Sequence, residues 1–112
     1  MKDPNNPCIF CSMRKNELIF ENSLAYASKD SYPVTKFHSL VVPKRCIKNY
    51  FELNDKEILA CDDLVKKLQQ RITLEDNTVK GFNVGTNAGK VAGQSIFHCH
   101  IHVIPRREGD VE

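Results

Sequence analysis

Residues 98–104 read His-Cys-His-Ile-His-Val-Ile, which puts three of the chain's four histidines at every second position. A period of two is that of a β-strand, so the three imidazoles are expected on one face, with Cys99, Ile101 and Val103 on the other. The chain must therefore build a sheet that buries one face and leaves the other accessible. That accessible face, carrying a row of imidazoles, reads as a working surface.

Two chemistries suit such a row. Neutral imidazole is the commonest protein ligand for zinc and similar ions. A strand rises roughly 3.3 Å per residue, so His98 and His102 are expected about 13 Å apart, whereas ligand nitrogens sit about 2.0 Å from a zinc ion. All three cannot share one ion. A neighbouring pair could, leaving the third idle, and divided labour accounts better for the row. Histidine becomes a nucleophile at neutral pH when one ring nitrogen is fixed as a donor and the other is bare. A neighbouring main-chain carbonyl can take that ring proton, and His100, flanked on both sides, is the candidate to attack an electrophilic phosphorus. The bland alternative is a set of hydrogen-bonded strand histidines without chemistry.

With 112 residues, 41% of them hydrophobic, the chain suits a single domain over 1–112 with one core. The formal net charge of +2 and scattered basic residues argue against a nucleic-acid partner. Lys44-Arg45 and Arg106-Arg107 read as solvated edges. No run approaches membrane-spanning length, and residues 1–7 are polar and proline-containing rather than a signal peptide. Five cysteines make an odd number, so the expectation is a cytoplasmic protein with reduced thiols and no disulfide framework. Cys8 and Cys11 form a C-x-x-C half-site, compatible with zinc or with redox chemistry. Cys61 and Cys99 are assigned to packing.

Strands are expected at 18–21, 23–28, 39–42, 80–84 and 96–104, with a turn at Glu21-Asn22 and a loop from Asp30 to Pro33. One long helix is predicted over 54–73, capped by Asn54 with Glu57 completing a capping-box pattern. Ile58, Cys61, Val65, Leu68 and Ile72 form its apolar stripe, and Leu59 and Leu64 widen it enough to serve a sheet and a second subunit. A short helical turn is expected at 47–51. The class is α+β. Between the last two strands, Asn87, Gln94, Ser95 and exposed amides can donate to phosphate oxygens; the alternative is an ordinary connection, in which Lys90 is simply solvated.

The triad with its flanks, Gly93-Gln94-Ser95-Ile96-Phe97 before and Val103-Ile104-Pro105-Arg106 at its end, resembles the signature of the histidine triad (HIT) family of nucleotide hydrolases and transferases. Pro33-Val34-Thr35, His38-Ser39-Leu40-Val41-Val42-Pro43-Lys44-Arg45 and Gly81-Phe82-Asn83-Val84-Gly85 with Asn87 follow in family order. The likeness runs from about Cys8 to about Asp110. It implies a five-stranded antiparallel sheet with one long and one short helix, in a homodimer whose sheet continues across the two subunits. His100 would be the nucleophile, the His98 carbonyl would accept its inner ring proton, and His102 would contact phosphate or leaving group. His38 matches a fourth histidine behind the triad, with a structural role as a lone histidine at a strand start; Asp30 matches a ribose-binding acid, the alternative being a turn cap, and Ile9, Phe10 and Met13 match part of a base pocket, the alternative for a residue such as Phe10 being core.

In the zinc-bearing branch of the family, Cys8, Cys11, Cys46 and His98 would form a structural zinc site, Cys46 standing where histidine is commoner. Thiolate is an equally good ligand, and this favours zinc over redox chemistry for the C-x-x-C pair; the alternative is three buried thiols. The implied activity is hydrolysis at the α-phosphorus of an adenosine dinucleoside polyphosphate or AMP conjugate through a nucleotidyl-histidine. A nucleoside phosphoramidase, a regulatory nucleotide-binding module and a catalytic metallohydrolase are the rivals. Two departures stand out. Phe37 occupies a position where the family commonly has glycine, so the backbone differs or the ring fills part of a pocket. Relatives with this Arg-Arg-x-Gly-Asp run often continue into a tail that influences substrate choice, whereas this sequence ends at Glu112.

Overall fold

The computed structural model describes residues 18–111. Strands β1 (Leu18–Glu21), β2 (Ala25–Lys29), β3 (Ser39–Pro43), β4 (Gly81–Gly85) and β5 (Ile101–Arg106) form one sheet in the order β1-β2-β3-β5-β4, each neighbouring pair antiparallel. Among the described residues, helix α1 (Asp55–Glu75) and two 3-10 turns, Tyr50–Glu52 and Lys90–Ala92, accompany the sheet in the α+β arrangement expected. Asn22 closes the first hairpin: its Oδ1 accepts from the N–H groups of Leu24 (3.0 Å) and Ala25 (2.9 Å), and its Nδ2 donates to the Ala60 carbonyl. One side chain thus makes the turn and ties it to α1.

Helix α1 starts where predicted. Asn54 Oδ1 accepts from Glu57 N–H and the Glu57 carboxylate accepts from Asn54 N–H, both at 2.9 Å, which satisfies two otherwise orphaned donors. The buried stripe is Glu57, Cys61, Leu64, Leu68 and Ile72, which differs from the expected one at two places, Glu57 for Ile58 and Leu64 for Val65. Leu64 takes the central place, Val65 is half-buried, and Ile58 and Leu59 face outward. The apolar pattern misplaced the stripe because it could not foresee a carboxylate in the first slot. Glu57 is tolerated there because Arg45 and Asn54 satisfy it.

The stripe packs on Ala25, Ala27, Val41, Ile101 and Val103 from the central strands. Each large apolar side chain so buried contributes about 1.5–3 kcal/mol. On β5 burial alternates: Ile101, Val103 and Pro105 are buried, while His102, Ile104 and Arg106 are half-buried. Tyr26, Leu40 and Val42 form a smaller cluster on the sheet face away from α1.

The last strand is shorter than the 96–104 predicted, because pairing begins only at Ile101. His98 and His100 lie in an irregular lead-in, not in a row on the strand. The backbone groups there are engaged elsewhere: Cys99 N–H donates to the Ile47 carbonyl, the His98 carbonyl accepts from the His100 ring, and the His100 carbonyl accepts from Thr86 Oγ1. These bonds stand in the lead-in where ladder bonds would run in a strand.

Candidate active site

His102 sits on β5 between Leu40 of β3 and Gly85 of β4. Its ring meets that of His100 edge to face, centroids 5.2 Å apart at 71°. His100 Nδ1 lies 2.8 Å from the His98 carbonyl. A carbonyl only accepts, so the His100 proton is on Nδ1 and its Nε2 carries the lone pair. By the same logic His98, fully buried, holds its proton on Nε2, which donates to the Pro43 carbonyl at 2.9 Å.

His38 supplies a further tautomer constraint. Val34 N–H donates to its Nδ1 at 3.1 Å, so the His38 proton is on Nε2. That nitrogen is 2.9 Å from His102 Nδ1 and 3.1 Å from Asp30 Oδ2. His102 therefore accepts at Nδ1 and keeps its own proton on Nε2, the nitrogen a substrate oxygen can use. Burial lowers the affinity of His38, His98 and His102 for a second proton; Asp30 partly offsets this at His38 and the Pro43 carbonyl at His98, while His100 and His38 reinforce it at His102. All three are neutral near pH 7.

Asp30, His38 and His102 bring three ligand-type atoms within 4.8 Å of one another. The spacing would suit a two-histidine, one-carboxylate metal set. The Val34 N–H argues against it, because it forces the proton onto His38 Nε2, the atom an ion would need bare. This trio shares a proton. Asp30 Oδ1 also accepts from Tyr32 N–H at 2.9 Å, so the acid closes the 30–38 loop as well as facing the histidines.

Gln94, expected to offer its amide to phosphate, takes a different part. It is 3% exposed; Nε2 donates to the carbonyls of Lys48 (2.6 Å) and Ile96 (3.0 Å), and Oε1 accepts from Gly89 N–H at 2.8 Å. The carboxamide is spent on shaping the loop. Ser95 and Asn87 are exposed, the Asn87 amide lying across Gly93, whose φ of 94° favours glycine. Thr86, which holds the His100 carbonyl at 2.7 Å, escaped sequence reasoning because a threonine after a strand carries no pattern of its own.

The basic pairs read as solvated edges are tied down. Arg45 binds the Glu57 carboxylate, and Arg107 Nη2 binds Asp76 (2.9 Å) and the Lys36 carbonyl (3.1 Å). Thr78 and Arg107 together pull the Asp76 carboxyl down to about 2. Phe37 adopts the backbone of a glycine, φ 74°, with its ring packed at the core edge and Lys36 Nζ 5.1 Å from the ring centre. Cys61 and Cys99 are buried, as assigned, their thiols pushed up by burial to about 11 and about 12. Cys46 is half-buried; Cys8, Cys11, Ile9, Phe10 and Met13 lie outside the described residues. Among the described residues no helix is long and apolar enough to cross a membrane.

Comparison with known proteins bears on this geometry. The family model described as the HIT domain matches residues 13–109. The chain is 38% identical over 112 residues to an uncharacterized 16.1 kDa HIT-like protein of Mycoplasma pneumoniae, covering 93% of this chain and 74% of that one. It is 35% identical over 103 residues to a protein of Schizosaccharomyces pombe named adenosine 5'-monophosphoramidase, covering 88% and 74%. A crystal structure of a HIT family protein from Bacillus anthracis superposes with a TM-score of 0.85 at 35% identity, covering 94% of this chain and 77% of that one.

Proposed function

Since the chain belongs to the histidine triad family, we propose that it is a nucleotide hydrolase acting at the α-phosphorus of an adenosine dinucleoside polyphosphate or AMP conjugate through His100. The observation that carries this reading is the 2.8 Å bond from His100 Nδ1 to the His98 carbonyl. It leaves the lone pair on Nε2 of a buried histidine, the residue being 9% exposed. Nε2 attacks the α-phosphorus; the N–P bond forms as the bond to the leaving group breaks, and the leaving group departs with the electron pair. Water then attacks the same phosphorus, the N–P bond breaks, and a mononucleotide leaves as water's proton passes to solvent or to the returning imidazole. His102, donor at Nε2, steadies a phosphoryl oxygen or the departing atom, and Ser95 and Asn87, both exposed, are assigned as neutral donors to phosphate. Asp30 faces the ribose and, with His38, holds His102 in its tautomer. The family resemblance assigns Ile9 and Phe10 to the base.

A structural zinc held by Cys8, Cys11, Cys46 and His98 is part of the proposal. His98 supports it by donor chemistry: its Nε2–H is taken by the Pro43 carbonyl, which makes Nδ1 the ring's acceptor and supplies the outer hydrogen bond that metal-binding histidines carry. The metal would tie the N-terminal segment to the triad and has no part in the chemistry. A cytoplasmic homodimer whose sheet continues across the two subunits completes the reading.

The name of the Schizosaccharomyces pombe relative favours a second leaving group, an amine in place of a phosphate. Turnover of diadenosine polyphosphates against adenosine phosphoramidates separates the two. Tight nucleotide binding with turnover of neither would leave a regulatory module and overturn the hydrolase. If chelation stopped turnover while fold and nucleotide binding survived, a catalytic metallohydrolase would replace it.

A further inference from the structure

Among the described residues Glu57 is the only buried carboxylate, 2% exposed, and nothing in the proposed chemistry uses it. Arg45 grips it with two parallel bonds, Nε to Oε2 and Nη2 to Oε1, both 2.9 Å, and Nη2 also donates to the Glu52 carbonyl at 2.9 Å. A bidentate guanidinium–carboxylate pair fixes direction as well as distance. It binds the connection after β3 to the first turn of α1 and to the 3-10 turn.

The last residue of β3 and that connection present three carbonyls to the triad segment. Pro43 accepts from His98 Nε2 at 2.9 Å, Ile47 from Cys99 N–H at 2.9 Å, and Lys48 from Gln94 Nε2 at 2.6 Å. The middle bond matters most. Cys99 N–H and the His98 carbonyl are the two ends of one planar peptide unit. Ile47 holds one end of that plane, and the other end orients the His100 ring. Ile47 N–H in turn donates to the Arg45 carbonyl at 3.0 Å.

We propose that Arg45 and Glu57 are positioning residues for the nucleophile: the pair fixes the Ile47 carbonyl, Ile47 fixes the His98–Cys99 peptide plane, and that plane holds the proton on His100 Nδ1. If the plane rotates, the ring is released to move its proton to Nε2, and the tautomer with a proton there has no lone pair to attack phosphorus. Misplacement of this kind, far from the reacting atoms, costs about 10²-fold in rate. The proposal rests on His100 being the nucleophile.

The test uses Arg45→Lys, which keeps the charge and loses the fork, and Glu57→Gln, nearly isosteric, in case the first does not fold. Steady-state kinetics, zinc content and the ¹⁵N tautomer of His100 are measured on the whole protein. The proposal predicts kcat down 10- to 100-fold with KM within about twofold, zinc content unchanged, and His100 shifting from pure Nδ1–H to a mixture. A folded variant with full kcat, a loss in KM alone, an unaltered tautomer, or zinc lost in parallel would overturn it. His100→Asn is run alongside. If that variant keeps its turnover, the nucleophile reading falls by itself, and the tautomer of Arg45→Lys still decides whether the pair orients the ring.

Discussion

At the scale of single residues, tautomers matter more than charges. Val34 N–H fixes His38, His38 fixes His102, and the His98 carbonyl fixes His100, so each imidazole presents a defined nitrogen. The buried histidines also couple folding to pH. His38, His98 and His102 bind a second proton less readily folded than unfolded, so as pH falls through about 6.5 the unfolded chain takes up protons that the folded chain refuses. Stability is complete above that range and declines below it. The midpoint of urea unfolding is expected lower at pH 5.5 than at 7.5, with a shallower decline in His38→Gln; a midpoint that rises on acidification would contradict this. Phe37 allows a second test. Because its φ is 74°, Phe37→Gly is expected to be more stable than Phe37→Ala by about 1 kcal/mol, the reverse of the usual order, as read from thermal unfolding.

At the scale of elements, the helix stripe gives a sharp contrast. Leu64→Ala is expected to cost about 2–5 kcal/mol in denaturant unfolding and Val65→Ala well under that, because Leu64 is wholly buried beneath the sheet and Val65 only in part. Equal losses would restore the stripe read from the sequence. The capping box, the Asn22 turn and the positions of the first four strands were legible because each rests on local chemistry at fixed spacing. The lead-in at 96–100 was not, although it alternates as a strand does, because its hydrogen bonds go to Ile47 and Thr86, both distant in sequence, and to its own His100 ring. Gln94 and Arg45 were misread for the same reason. A buried amide or guanidinium is recognisable only from partners that the fold brings to it.

At the scale of the molecule, the triad is held from both sides, by β3 and the connection after it, and by Thr86 at the end of β4. The proposed zinc would add a tie from the N-terminal segment, which matters in a chain of 112 residues because small domains bury proportionately little surface. About one zinc per chain is expected by elemental analysis, with Cys46→Ala losing both the metal and part of the thermal stability. Metal at full stoichiometry in that variant would remove Cys46 from the site. The proposed chemistry turns on covalent capture at one atom. Mixing the protein with diadenosine polyphosphate labelled at the α-phosphorus and quenching in alkali is predicted to leave an acid-labile nucleotidyl group on His100, absent in His100→Asn. Rapid turnover with no adduct at that residue, or undiminished cleavage by the variant, would contradict it.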